Sequence, residues 1–231
     1  MNEVLRREKK FLIRLDEYYR FSGRLSSLMM QDANNGREGY VIRSLYFDTL
    51  HDQDFNEKED GVEVRRKIRL RLYDPDNDFA MLEMKQKQGD LQKKRSLRLR
   101  RKDAIALTEG RYQVLLNYKE AFAAECFGVM TSRCYRPKAV IEYRRKAFIA
   151  KENKIRVTFD HHITATESCF HIFDRNLCLS PVMDTCLAVL EVKYNGFLLG
   201  YIKDMLAECD RSELSVSKYY MGRGFTKLLM R

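Results

Sequence analysis

The sequence has no tryptophan, three prolines and eleven glycines in 231 residues. That is too little Pro and Gly for a collagen-like or low-complexity chain. No window approaches eighteen consecutive apolar residues, so no membrane-spanning helix is expected. The opening MNEVLRREKKF is basic but has no apolar stretch behind it, which argues against a signal peptide. None of the six cysteines (Cys126, Cys134, Cys169, Cys178, Cys186, Cys209) forms a CxxC pair; buried thiols in a reducing compartment are expected. His51, His161, His162 and His171 lack zinc-site spacing, and adjacent His161 and His162 would point to opposite sides of a strand. There is no GxxxxGK[ST] or GxGxxG loop and no HRD or DFG triplet, which excludes P-loop, Rossmann and kinase chemistry. RNP aromatics, zinc fingers and a basic recognition helix are missing too, so no nucleic-acid partner is expected. These absences lead to the expectation of a soluble, cytoplasmic protein.

What is present can build a core. Hydrophobic residues make up 45% of the chain, with thirteen Phe and thirteen Tyr, enough apolar surface to offset chain entropy. No linker or internal repeat interrupts it, and residues 1–231 read as a single domain. The 43 Lys and Arg against 33 Asp and Glu leave a charge of +10, which by itself calls for any densely anionic partner: an anionic membrane, a polyphosphorylated small molecule or the nucleic acid that the missing modules argue against.

The distribution of that charge narrows the choice. Segment after segment alternates charged and aliphatic residues with period two, as a strand with one polar and one apolar face does. In Glu63 to Tyr73, Arg65, Lys67, Arg69 and Arg71 share one parity, and Arg66, Ile68, Leu70 and Leu72 the other. Glu83, Lys85 and Lys87 oppose Leu82 and Met84; Lys94, Ser96, Arg98 and Arg100 oppose Arg95, Leu97 and Leu99. Glu8 and Lys10 oppose Phe11 and Ile13, and the pattern returns around Tyr143, Arg156 and Glu191. Asp74-Pro75-Asp76-Asn77 reads as a hairpin turn. Helices are expected over about 15–30, 102–124 (Asp103 as N-cap, Gly110 as a stop) and 197–208. The expected fold class is α+β: a closed antiparallel β-barrel with a basic lumen and flanking helices, closure removing the edges of so many strands.

In order along the chain, several segments resemble one family. They are Arg6-Arg7-Glu8-Lys9-Lys10-Phe11, Ser44-Leu45-Tyr46-Phe47-Asp48-Thr49, Ile68-Arg69-Leu70-Arg71-Leu72-Tyr73 and Leu82-Glu83-Met84-Lys85-Gln86-Lys87. Tyr143-Arg144-Arg145-Lys146-Ala147-Phe148, Ile155-Arg156-Val157-Thr158-Phe159-Asp160, Leu190-Glu191-Val192-Lys193 and Ser217-Lys218-Tyr219 complete the set. Together they resemble the VTC domain, the catalytic domain of vacuolar transporter chaperone polyphosphate polymerases, within the triphosphate tunnel metalloenzyme superfamily.

The resemblance implies a tunnel that binds triphosphate with the help of Mn²⁺ or Mg²⁺. It assigns catalytic roles to Lys10, Arg69, Arg71, Lys85, Arg145 and Lys218, and phosphate binding to Arg98, Tyr143, Arg156, Lys193 and Lys87. At the place of Arg98 the family pattern has lysine. Glu191, helped by Glu8 and Glu83, would hold the metal; alternatively these acids only neutralise neighbouring Lys and Arg. The implied activity is transfer of the ATP γ-phosphoryl group to a growing polyphosphate chain. A triphosphatase of the same fold and a non-catalytic polyphosphate or inositol-polyphosphate binder remain alternatives, since all three use the same basic residues. ATP and polyphosphate are the expected partners, association with a membrane protein stays open, and the oligomeric state is not legible.

Overall fold

A computed structural model describes residues 7–89, 91–209 and 217–229, the side chains of 91–92 and 224–229 excepted; Arg6 of the first motif lies outside the described residues. The elements run β1 (Arg7–Arg14), α1 (Leu15–Leu28), β2 (Met30–Gln31), β3 (Tyr40–Asp48), α2 (Gln53–Glu59), β4 (Val64–Leu72), β5 (Phe79–Gln88) and β6 (Leu91–Arg100). They continue as α3 (Arg101–Thr108), α4 (Ala121–Ser132), β7 (Arg136–Ile149), β8 (Arg156–Thr166), β9 (Ser180–Pro181), β10 (Leu187–Tyr194), α5 (Gly200–Ala207) and α6 (Lys218–Leu229).

The strands pair in the order β1-β10-β8-β7-β3-β4-β5-β6, with β2 on β7 and β9 on β8. This overturns the expected closed barrel and its basic lumen: the path has two ends, and among the described residues no pairing joins β1 to β6. Alternation fixes which way each side chain faces but says nothing about whether two terminal strands meet. Nor is closure needed to protect the edges. Arg7, Lys9 and Lys10 on β1, and Lys93, Lys94 and Arg98 on β6, supply the charge that blunts an edge strand.

The chain divides into two compact units. One comprises Met1–Val41, Tyr143–Ile163 and Pro181–Ser217, the other Ile42–Glu142, Thr164–Ser180 and Lys218–Arg231. The first has its own core, in which Tyr18, Phe21 and Leu25 of α1 pack with Phe148, Phe159, Leu190 and Ile202. Helix α1 starts where the Glu17 carboxylate accepts the Arg14 backbone N–H at 2.7 Å, satisfying a donor the helix leaves open. Gly39 takes φ +87°, and a Cβ there would stand 2.1 Å from the Arg145 carbonyl oxygen, so the turn into β3 requires glycine.

The second unit buries Phe47, Ile68, Leu70, Leu82, Leu99, Met130 and Tyr135. On β4 the expected parity holds: Ile68, Leu70 and Leu72 are buried while Arg69 and Arg71 are half-buried on the other face. The β4–β5 turn is as expected, with the Asp76 N–H on Asp74 Oδ1 at 2.9 Å and the Asn77 N–H on the Asp74 carbonyl at 3.1 Å.

Three local expectations need correction. The segment 102–124 is α3, a 3-10 turn over Tyr112–Asn117 and the start of α4, and Arg100, not Asp103, caps α3. Asp103 sits in the first turn, where its carboxylate accepts the Tyr118 hydroxyl at 2.7 Å. Only Cys126 is buried; Cys169 and Cys209 are half-buried, and Cys134, Cys178 and Cys186 are exposed. Finally, His162 adopts φ +50°, which breaks the strand alternation and brings its Nδ1 within 2.5 Å of the His161 Nδ1.

Candidate functional site

In the second unit the polar face of β4, β5 and β6 is built in cross-strand rows. Pairing sets Arg65 beside Lys87, Lys67 beside Lys85 and then Lys94, Arg69 beside Glu83 and then Ser96, and Arg71 beside Met81 and then Arg98. Strand β3 extends two rows, with Tyr46 opposite Arg69 and Ser44 opposite Arg71. Like charges directly opposite on a sheet repel. The Lys67–Lys85–Lys94 row therefore carries repulsion that negative charge nearby must offset.

Glu83 is the one carboxylate in these rows, and three cations converge on it. Arg69 donates Nε at 2.8 Å and reaches the same oxygen with Nη2 at 2.7 Å; Arg71 Nη2 lies at 2.6 Å and Lys94 Nζ at 2.8 Å from the other oxygen. Burial alone would raise the Glu83 pKa, but Arg69 and Arg71, reinforced by Lys94, outweigh it and hold the carboxyl at about 2. Arg69 Nη1 donates to the Tyr46 hydroxyl at 3.1 Å. Arg71 Nε and the opposing Ser44 Oγ are buried without a partner among the described residues.

The other expected residues of this unit are more spread out. Lys85 is exposed and Lys87 half-buried. Arg98 lies 3.8 Å above the centroid of the Phe79 ring, a cation–π contact, and Lys94 is the β6 cation that reaches Glu83. Lys218 opens α6, which is pinned by buried Tyr219.

The first unit arranges charge differently. Pairing places Glu8 beside Lys193 and then Arg156, and Lys10 beside Glu191 and then Thr158, so each of these β1 residues faces the opposite charge on β10. Lys10 Nζ stands 2.6 Å from Glu8, and Lys193 is ion-paired with Glu191 and 3.8 Å from Glu8. Burial works against the Lys10 charge, but Glu191 and Glu8 more than compensate and raise its pKa. Arg145 grips fully buried Asp160 bidentately at 2.6 and 2.7 Å, with its guanidinium carbon 5.4 Å from the Tyr143 ring centroid. Arg156 donates to Asp32 at 2.9 Å and to the Tyr40 hydroxyl at 3.2 Å.

A divalent cation suits some of these carboxylates better than others. Both oxygens of Glu83 are already held by three cations, which leaves it a poor donor. Glu8 and Glu191 offer hard oxygen donors of the type Mg²⁺ and Mn²⁺ take, and one or two carboxylates suffice when phosphate and water fill the remaining positions. Among the described residues no group of three His, Cys, Asp or Glu is placed to hold a metal without such help.

Lys67, Lys94, Tyr46 and Asp160 join these clusters although the residue-type reading did not single them out as site residues. The motif and parity positions named them, but the cross-strand register that brings them to Glu83, Arg69 and Arg145 is not written in any one segment. A cavity of about 510 Å³ lies elsewhere in the first unit, lined by Arg7, Lys9, Phe11, Tyr194 and Phe197, on the strand parity opposite Glu8 and Lys10. No described helix is long and apolar enough to cross a membrane.

Comparison with known proteins adds the family. The VTC domain matches residues 5–226. No curated protein sequence matches the chain. Among solved structures, a candidate adenylate cyclase of Bacillus halodurans is similar at 12% identity, covering 91% of this chain and 92% of its own with a TM-score of 0.53, a likeness of fold alone. The PH1819 protein of Pyrococcus horikoshii OT3 is 9% identical, with 96% and 99% covered and a TM-score of 0.46. A chain of the Schizosaccharomyces pombe Mediator head module is 7% identical, with 97% and 92% covered and a TM-score of 0.47.

Proposed function

The chain belongs to the VTC domain family, and from that premise we propose that it is a polyphosphate polymerase that takes the γ-phosphoryl group of ATP. Membership gives the class, a polyphosphate-related enzyme handling triphosphates; the reaction within that class is our reading. One observation carries it: on the β4–β5–β6 face cations crowd a single carboxylate whose pKa is held near 2.

Such a face is suited to phosphate and unsuited to activating water. A hydrolase has to position and activate a water, and Glu83, held at about 2 by the cations around it, is too weak a base to do so. Extension of a polyphosphate chain needs no base, because a terminal phosphate oxygen is already ionised. That oxygen forms a bond to the γ-phosphorus, the bond from the γ-phosphorus to the β–γ bridging oxygen breaks, and ADP leaves with the electron pair. The protein's part is to align the reactants and to stabilise charge on the equatorial oxygens.

In the second unit, Arg69 and Arg71 would bind phosphate oxygens through guanidinium donors, with Lys85, Lys87, Arg98 and Lys218 adding positive charge. In the first, Lys10, Arg145, Arg156 and Lys193 would contact phosphate, Tyr143 would donate a hydrogen bond, and Glu191 with Glu8 would hold Mn²⁺ or Mg²⁺. The ion would neutralise phosphate charge when bound. Incubation of the full chain with ATP and Mn²⁺, with product chains resolved on a gel and free phosphate quantified, tests the reading. Long chains are expected; free phosphate alone would make the protein a triphosphatase, and neither product a binding module.

A further inference from the structure

We propose that Tyr46 is a positioning residue for Arg69, fixing the direction of its guanidinium fork without itself touching phosphate; this rests on the phosphate-binding role of Arg69 proposed above. Arg69 Nε and Nη2 face Glu83, and Nη1 donates to the Tyr46 hydroxyl at 3.1 Å. Glu83 alone holds one edge of the planar group. The second acceptor, on a different strand, removes the remaining rotation about the side chain's end.

Tyr46 is in turn immobilised. Its ring stacks on Tyr219 with centroids 5.1 Å apart and planes 19° apart. The Tyr219 hydroxyl donates to Asp48 Oδ2 at 2.6 Å. Asp48 lies two residues beyond Tyr46 on the same face of β3, and its carboxylate also accepts the backbone N–H groups of Thr49, Asp54 and Phe55 at 2.7, 2.9 and 3.0 Å. Helix α6 cannot easily slide on this contact: a Cβ at Gly222 would stand 2.8 Å from Ile141 Cδ1. Tyr46 is 7% exposed and Tyr219 2%, so the pair is enclosed and the stack has no room to rearrange.

The chain Asp48–Tyr219–Tyr46–Arg69 thus assigns a purpose to two of the family-like motifs at once. The Tyr and Asp of Ser44-Leu45-Tyr46-Phe47-Asp48-Thr49 and the Tyr of Ser217-Lys218-Tyr219 are separated by about 170 residues along the sequence but meet behind one arginine; this sequence distance is a span set by the fold, not by local geometry.

The test uses Tyr46→Phe, which keeps the ring and removes only the hydroxyl, alone and combined with Arg69→Ala in the full chain. Turnover of ATP and calorimetric binding of tripolyphosphate are measured alongside thermal unfolding. Tyr46→Phe is expected to lower kcat/KM by about tenfold, the scale of one charge-assisted hydrogen bond, with little change in unfolding temperature. It should have no further effect once Arg69 is alanine. An unchanged kcat/KM, or the same tenfold loss in the Arg69→Ala background, would overturn the proposal. ¹⁵N NMR of the Arg69 guanidinium gives a readout that does not need turnover: faster rotation is expected in Tyr46→Phe, and an unchanged signal counts against the coupling. If the unsubstituted chain binds no tripolyphosphate while that signal does respond, it is the phosphate role of Arg69 that falls and the coupling that stands.

Discussion

In the first unit Lys10, Arg145, Arg156 and Lys193 stand among Glu8, Asp32, Asp160 and Glu191, each cation with an acid at hand. In the second, Arg69, Arg71 and Lys94 share the single acid Glu83, with Lys67 and Lys85 in the adjoining row of the same sheet face. Both clusters come from the same alternating strand pattern, so the pattern alone does not determine what a strand's charges are for. Where acids match cations, the pairs contribute to stability whatever else they bind; where cations are in surplus, the proposed function has an anion from outside relieve the repulsion.

The largest expected effect tests the balanced cluster. Replacing Arg145 by Met would strand fully buried Asp160 without its bidentate partner, at a cost of about 3–5 kcal/mol to stability, measured as a fall in unfolding temperature. If the fall is absent, the first unit does not depend on pairing and the contrast disappears. In the surplus cluster the expectation reverses. Arg69→Ala or Arg71→Ala leaves Glu83 with two cations, so unfolding temperature should hardly move, while turnover should drop by about 10²–10³, the range for a lost transition-state donor. A large loss of stability with turnover retained would show that the two units use their charges alike.

Glu191→Gln sharpens the comparison from the metal side: the response of turnover to Mn²⁺ should vanish while the fold stays intact, and a persisting response would move the ion to another carboxylate. A smaller effect concerns repulsion itself. Lys85→Gln breaks the Lys67–Lys85–Lys94 row and should raise the unfolding temperature at low salt, the gain fading as salt screens the charges.

The second unit also carries an expected pH dependence. Burial, then the nearby Asp48 carboxylate, push Asp54 from its ordinary 3.8 up to about 8. A carboxyl with a raised folded-state pKa contributes stability at low pH and loses it as pH rises through that window. Stability should therefore decline between about 4 and about 8, and Asp54→Asn, which cannot ionise, should flatten the decline in chemical denaturation.

Much of this was legible in the sequence. Strand positions, facing and the β4–β5 turn followed from local alternation and turn chemistry, because period two and an Asp-Pro-Asp-Asn run act over a few residues. Sheet closure did not follow, since whether β1 meets β6 is decided by register summed across eight strands in sequence-distant order. Lys94 escaped for the same reason: parity placed it on the polar face, but only pairing of β5 with β6 carries it to Glu83. The His161–His162 contact was hidden by one left-handed backbone at His162, which no composition or spacing announces.

The most direct measurement is a crystal structure of the full chain with tripolyphosphate and Mn²⁺. Phosphate oxygens within hydrogen-bonding distance of Arg69 and Arg71, on the face that also carries Lys85 and Lys94, are the predicted result. Tripolyphosphate seated away from that face, with those side chains turned to bulk water, would contradict it.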